Sequence, residues 1–163
     1  MRGLFSILCD LHKILCNDCV NANDRKWNKM ADQTLMIVKP DAVAKNAIGQ
    51  IVARVEGDGF VVRQLRMMHL SREQAEEFYD VHKERPFYGE LVDFMTSGPA
   101  VPMVLERADA VPHLREFIGP TNSNEAPAGT IRGDFGTDVQ CNAVHASDSS
   151  ENAAREITFF FGE

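Results

Sequence analysis

Lys39, Arg115, Arg132, Asn142 and His145 are the side chains of this sequence best suited to hold a polyphosphate and to attack it. Two arginines can grip such a group through charge-assisted, partly bidentate hydrogen bonds, each contributing about 1.5–3 kcal/mol. Lys39 ends the first apparent strand, Arg115 lies in a helical stretch, and Arg132 closes a long loop. Residues so placed can converge on one cleft although distant in sequence. Taken singly, each cation also reads as an ordinary solvated surface charge. The sequence has no GxxxxGK[ST] loop and no GxGxxG turn after its first strand, the two usual backbone cradles for phosphate. Phosphate chemistry here must use side chains.

His145 is one of five histidines, with His12, His69, His82 and His113. It stands among small polar groups, Asn142-Ala-Val-His145-Ala-Ser147-Asp148-Ser149, ahead of a helix that carries Glu156. A neutral imidazole is a competent nucleophile near pH 7, and a carboxylate can fix its orientation and tautomer. A histidine beside a strand is also commonly a plain hydrogen-bonded or surface residue. The residues alone leave both readings open.

Those side chains need a scaffold, and the apolar pattern from Thr34 onward predicts one. Thr34 to Lys39 reads as a buried strand stopped by Pro40, which cannot donate to a ladder. Ile48, Ile51, Val52 and Val55 mark one helix face over 48–56, closed by Gly57-Asp58-Gly59. Residues 60–70 return as a long strand. Ser71 and Gln74 form a capping box opening a helix to about Lys83, and a second helix runs over 86–95. A third strand over 101–105 precedes a helical stretch over 108–117. Residues 119–138 are too polar and broken for a regular element, and a loop of that length is usually functional or mobile. A short strand over 142–145 and a helix over 149–160 close the pattern. Helices alternating with few strands predict a single α/β or α+β layer fold.

Composition narrows the function. Hydrophobic residues make up 44% and charged residues 25%, the balance of a globular chain, and no apolar run nears the roughly 20 residues that cross a bilayer. The net charge is −7; residues 1–29 hold five basic and three acidic side chains, which leaves residues 30–163 at −9. That surface repels a polyanion on average and argues against general nucleic-acid binding, while leaving room for a local cation cluster that takes small anions. Three of the four cysteines, Cys9, Cys16 and Cys19, precede residue 20, and Cys141 alone falls in the apparent domain. A reducing cytoplasm is the natural setting. Cys16 and Cys19 have zinc-site spacing but no second ligand pair nearby. Residues 1–29 read as a short amphipathic helix outside the fold, with Met30 the expected biological start and 30–163 the domain.

Residues 34 to 163, about 130 positions, resemble the nucleoside diphosphate kinases almost without a gap. The landmarks are Thr34-Leu-Met-Ile-Val-Lys39-Pro-Asp-Ala-Val43, His82-Lys-Glu-Arg85-Pro-Phe87 and Met95-Thr-Ser-Gly-Pro99, followed by Gly129-Thr-Ile-Arg132-Gly-Asp-Phe135 and Asn142-Ala-Val-His145-Ala-Ser-Asp-Ser149. The last block resembles the signature around the phosphorylated histidine. The resemblance implies a ping-pong transfer with Mg²⁺, the ion being held mainly by nucleotide phosphates and water. A nucleoside triphosphate, mainly ATP, would give its γ-phosphoryl to His145 and leave, and a second diphosphate would take the group. It also implies roles: Lys39 at the sugar and polyphosphate end, Asn142 at the sugar, and Phe87 with Leu91 against the base. Arg115, Thr121 and Arg132 would hold the phosphates, Tyr79 would hydrogen-bond near the transferred group, and Glu156 and Ser147 would support the imidazole. Phosphoryl transfer needs positioning and charge neutralisation above all, and stacking discriminates bases poorly, so broad substrate use is expected.

The resemblance further implies a ferredoxin-like βαββαβ fold, a four-stranded antiparallel sheet with packed helices. Nucleoside di- and triphosphates and copies of the chain itself, as a tetramer or hexamer, are the expected partners, with no membrane. Ala146 stands where the family usually has glycine; a positive φ there would cost on the order of 1 kcal/mol and shift the histidine. The chain stops at Glu163, short of a tail that often helps assembly in relatives. Two rivals remain: a catalytically silent subunit, for which Ala146 is the foothold, and a nucleic-acid module, which the −9 domain charge opposes.

Overall fold

Strand β1 (Asp32–Val38) occupies the middle of the sheet because both its faces are covered. Leu35 and Ile37 pack to one side, Met36 and Val38 to the other, and all four are fully buried. An unbroken apolar run is what such a strand requires. The computed structural model describes residues 32–162. The readings of residues 1–29, including Cys16 and Cys19, and of Met30 as the start lie outside the described residues.

After β1 the chain runs through α1 (Pro40–Ala44), α2 (Ile48–Gly57), β2 (Val61–Leu65), α3 (Arg72–Phe78) and α4 (Tyr88–Met95). It continues through β3 (Val101–Arg107), α5 (Ala110–Ile118), α6 (Ile131–Phe135), β4 (Val144–Ala146) and α7 (Ser150–Phe161). The strand order is β2-β3-β1-β4, and every neighbouring pair is antiparallel. This is the βαββαβ arrangement expected, with α3 and α4 inserted before β3 and α7 added after β4. On one face, Ile51 and Val55 of α2 and Leu114 and Ile118 of α5 meet Met36, Met103 and Val144. On the other, Phe78 of α3, Val92 and Met95 of α4 and Phe160 of α7 meet Leu35 and Ile37. Each such side chain contributes roughly 1.5–3 kcal/mol by leaving water. No described helix is long and apolar enough to cross a membrane.

Several boundaries differ from the pattern reading. Pro40 ends β1 as expected, yet it also opens α1 at a position where its fixed φ suits a helix. The expected strand over 60–70 is cut to Val61–Leu65: the register shifts between Val62 and Gln64, and only a single bridge, Met68 to Ala100, follows. The Ser71–Gln74 capping box forms, with Gln74 N–H donating to Ser71 Oγ at 3.2 Å, but α3 stops at Phe78 and a 3₁₀ turn over Asp80–His82 replaces its last turn. The stretch 119–138 is not structureless. It holds a 3₁₀ turn, Ser123–Glu125, capped by Asn122, and helix α6, capped by Thr130, whose Oγ1 accepts from Gly133 N–H at 3.1 Å.

Candidate active site

The ends of these elements enclose a cavity of about 600 Å³ whose walls include ten of the eleven residues singled out from the sequence. Lys39 enters at the N-cap of α1, Tyr79 from the end of α3, and Phe87 and Leu91 from the start of α4. Arg115 comes from α5, Thr121 from the link that follows, Arg132 from α6, and Asn142 and His145 from the approach to β4 and β4 itself. Glu156 reaches in from α7. Ser147 stands behind Glu156, fully buried, rather than on the wall.

His145 is held from one side. Its Nε2 lies 3.1 Å from Glu156 Oε2, and the Ser147 hydroxyl donates to the same oxygen at 2.7 Å. Ser147 Oγ in turn accepts from the Leu35 N–H at 3.3 Å, which ties this group to β1. Burial pushes the Glu156 carboxyl up, but the hydrogen bond and charge of His145 and the Ser147 hydroxyl outweigh it and hold the group below its ordinary range. An ionised Glu156 accepts only, so the imidazole donates Nε2–H and keeps its free lone pair on Nδ1. The Phe78 ring, edge-on at 5.4 Å, and Tyr79, edge-on at 6.2 Å, fix the ring plane.

The cations face one another across the same space. Burial, then the neighbouring Arg132 charge, pushes Lys39 down to about 8. Its Nζ donates to Asn142 Oδ1 at 2.6 Å, and the Asn142 amide donates to the Thr121 and Val139 carbonyls, each at 2.9 Å. Arg132 donates to Gly119 O at 3.0 Å and Val144 O at 3.1 Å, and burial followed by the Arg115 charge pushes it down to about 10. Gly119 carries a φ of 87°, and a Cβ there would come within 2.8 Å of Thr130 Oγ1, so only glycine can present that carbonyl. Arg132 Nε and Tyr79 Oη are buried without a hydrogen-bond partner among the described residues. Burial, then the Glu156 charge, pushes the Tyr79 phenol up, so it stays a proton donor. Mutually repelling cations and unpaired buried donors together describe a site shaped for an anion.

Three positions refine the sequence reading. Ala146 sits in β4 and is not among the described non-glycine residues with positive φ, so the feared shift of His145 does not arise. The strain lies at Ala143, with φ 67°, and the expected strand over 142–145 is therefore Val144–Ala146. His82, Asp148 and Arg155 also line the cavity but were not singled out. His82 stacks on Tyr79 at 6.3 Å; burial, then the His145 and Arg85 charges, lowers its pKa. Its place in the block His82-Lys-Glu-Arg85-Pro-Phe87 was the available signal, whereas Arg155 on α7 reads from sequence as a surface cation.

An oriented imidazole in a cationic cavity, set at the ends of a four-stranded antiparallel sheet, defines an α+β protein that handles phosphate groups. The family model described as nucleoside diphosphate kinase matches residues 32–163. The nucleoside diphosphate kinase of Halorhodospira halophila is 58% identical over 130 residues, 80% of this chain and 92% of that one. That of Nitratiruptor sp. is 54% identical over 132 residues, 81% and 96% of the two chains. Among solved structures, the Aquifex aeolicus nucleoside diphosphate kinase superposes with a TM-score of 0.79 at 52% identity, covering 80% of this chain and 95% of the other. The Halobacterium salinarum enzyme in complex with CDP gives 0.78 at 41% identity, over 81% and 88%. The chain belongs to the nucleoside diphosphate kinase family.

Proposed function

We propose that this chain transfers the γ-phosphoryl group of a nucleoside triphosphate, mainly ATP, to a nucleoside diphosphate by way of a phosphohistidine on His145. The observation that carries this reading is the pairing of His145 Nε2 with Glu156 inside the cavity that also gathers Lys39, Arg115 and Arg132. The Nδ1 lone pair attacks γ-phosphorus, the bond to the bridging oxygen breaks, and the diphosphate leaves with that electron pair. Glu156, supported by Ser147, disperses the positive charge that grows on the ring. A second diphosphate then takes the group by the reverse step. Arg115, Thr121 and Arg132 hold the phosphates, and the Tyr79 phenol donates near the transferred group. Lys39 meets the sugar and polyphosphate end, Asn142 bonds the sugar, and the half-exposed Phe87 with Leu91 stacks on the base. The CDP complex of the Halobacterium salinarum relative supports nucleotide binding by this chain.

Members of the family are kinases that use a divalent metal, and Mg²⁺ is the ion proposed here. The described residues hold no group of three or more His, Cys, Asp or Glu side chains able to bind a metal alone. A Mg²⁺ ion carried by nucleotide phosphates needs only one or two carboxylates, and exposed Asp148 on the cavity wall suits that part. Its hydrogen bond from Asn152 lowers its pKa and keeps it anionic. The ion supplies neutralisation of charge on the phosphates. We also assign catalysis to residues 30–163 with residues 1–29 outside it, the cytoplasm as location, and a homo-oligomer, tetramer or hexamer, as the working form.

The test is incubation with γ-labelled ATP and Mg²⁺ followed by a GDP chase, beside His145→Ala. Acid-labile label on the wild type alone, discharged to GTP, is expected. A folded wild type that takes no label would sink the proposal and leave the silent-subunit reading in its place.

A further inference from the structure

The backbone between Asn142 and Val144 is bent in a way that alanine resists. Ala143 has a φ of 67°, and the Val144 N–H folds back on the Asn142 carbonyl at 2.8 Å, two residues away. That is a γ-turn centred on a positive φ, the rare and strained form. A side chain in the left-handed region persists only where its surroundings over-determine it. Ala143 is fully buried, so water supplies neither of its backbone groups with a partner.

Both partners come from one short segment. The Lys39 N–H donates to the Ala143 carbonyl at 2.9 Å, and the Ala143 N–H donates to Asp41 Oδ2 at 3.0 Å. Asp41 is the residue after Pro40 in α1, where the proline ring fixes the backbone that aims it. The turn it grips has Asn142 on one side and His145 just beyond, and both side chains reach the cavity. Asp41 itself is absent from the cavity wall.

We propose that Asp41 is a positioning residue: its carboxylate clamps the Ala143 amide and thereby holds the strained turn that sets His145 and Asn142. The inference rests on His145 being the phosphoryl acceptor. An arrangement held this way makes a specific demand. Glycine at 143 removes the resistance of the turn to its φ, so the turn then depends less on the clamp, although the 143 N–H still loses its partner. Loss of Asp41 and relief of strain should therefore compensate in part for each other in rate, which no general contribution of Asp41 to stability would produce.

The test uses the full chain and the initial rate of labelling of His145 by γ-labelled ATP, with circular dichroism confirming folding. Asp41→Ala is expected to slow labelling by about tenfold to a hundredfold, the range a small misplacement of a reacting group produces. Asp41→Asn keeps an acceptor oxygen for the amide and should stay within about threefold of wild type. Adding Ala143→Gly to Asp41→Ala relieves the strain but not the orphaned N–H, and should recover part of the lost rate, by at least about threefold. A folded Asp41→Ala that labels at the wild-type rate overturns the proposal, as does a loss that Ala143→Gly leaves untouched. If Asp41→Ala fails to fold alone, folding regained with Ala143→Gly supports the clamp, and failure of both variants to fold overturns it. A wild type that takes no label refutes the kinase reading instead, so the two failures are told apart.

Discussion

Raising the pH should weaken nucleotide binding through Lys39. Burial and the Arg132 charge bring this lysine down to about 8, against about 10.4 for a free side chain. The charged form is therefore opposed in the folded protein, by about 3 kcal/mol. The sign follows: that opposition is complete below about pH 8 and fades toward pH 10.5, so the unliganded protein gains stability across this window. A polyphosphate reverses the balance by restoring the cation. At pH 8 about half of the Lys39 side chains are neutral, so binding should draw in about half a proton. Between pH 7 and pH 9 the affinity should fall by about tenfold, or 1.4 kcal/mol. Isothermal calorimetry of ADP binding in two buffers of different ionisation enthalpy measures both quantities. Lys39→Arg keeps its charge throughout and should remove most of this pH dependence. An affinity unchanged from pH 7 to pH 9 with no proton uptake at pH 8 would refute the reasoning.

Two further outcomes follow from the geometry. Glu156→Gln can turn an amide N–H toward His145 Nε2 and favour the wrong tautomer, so kcat should fall about tenfold to a hundredfold with KM little changed; a rise in KM alone would contradict this. Arg132 holds the Gly119 and Val144 carbonyls as well as facing the cavity, whereas Arg115 makes no hydrogen bond to a described residue. Arg132→Ala should thus lower the Tm and raise KM together, by about 1–3 kcal/mol for the orphaned carbonyls, while Arg115→Ala should raise KM at an unchanged Tm; equal Tm losses would count against this division.

The central features were legible because local and global demands agree in them. β1 reads as a strand since burial on both faces makes Leu35 to Val38 an unbroken apolar run, and Ser71 with Gln74 announces α3 by a bond pattern confined to four residues. The cavity residues were reached through block order, and the folded chain gathers them. What stayed hidden depends on partners distant in sequence. β2 lost its second half because its register against β3 shifts between Val62 and Gln64, and beyond Leu65 only the Met68–Ala100 bridge follows. Helix α6 was concealed by polar and glycine residues whose job is to fit against Pro127 and Ser123, although Thr130 was a usable cap signal. The strain at Ala143 has no sequence signature at all, since alanine carries no preference for positive φ. Expectation instead fell on Ala146, which needs no such conformation.

The turn at Ala143 also settles a matter of parity. Along an extended strand, side chains alternate, so two residues three places apart point to opposite sides. Asn142 and His145 are three apart, yet both line the cavity, while Val144 packs with the helices of the other face. The turn resets the count by one. This stretch therefore tolerates exchange of residues but not a change in their number. A one-residue insertion or deletion between 142 and 145 would swing the imidazole or the amide into the hydrocarbon interior, with every individual side chain still present. Homologous chains that keep this chemistry should vary here in spelling and never in length.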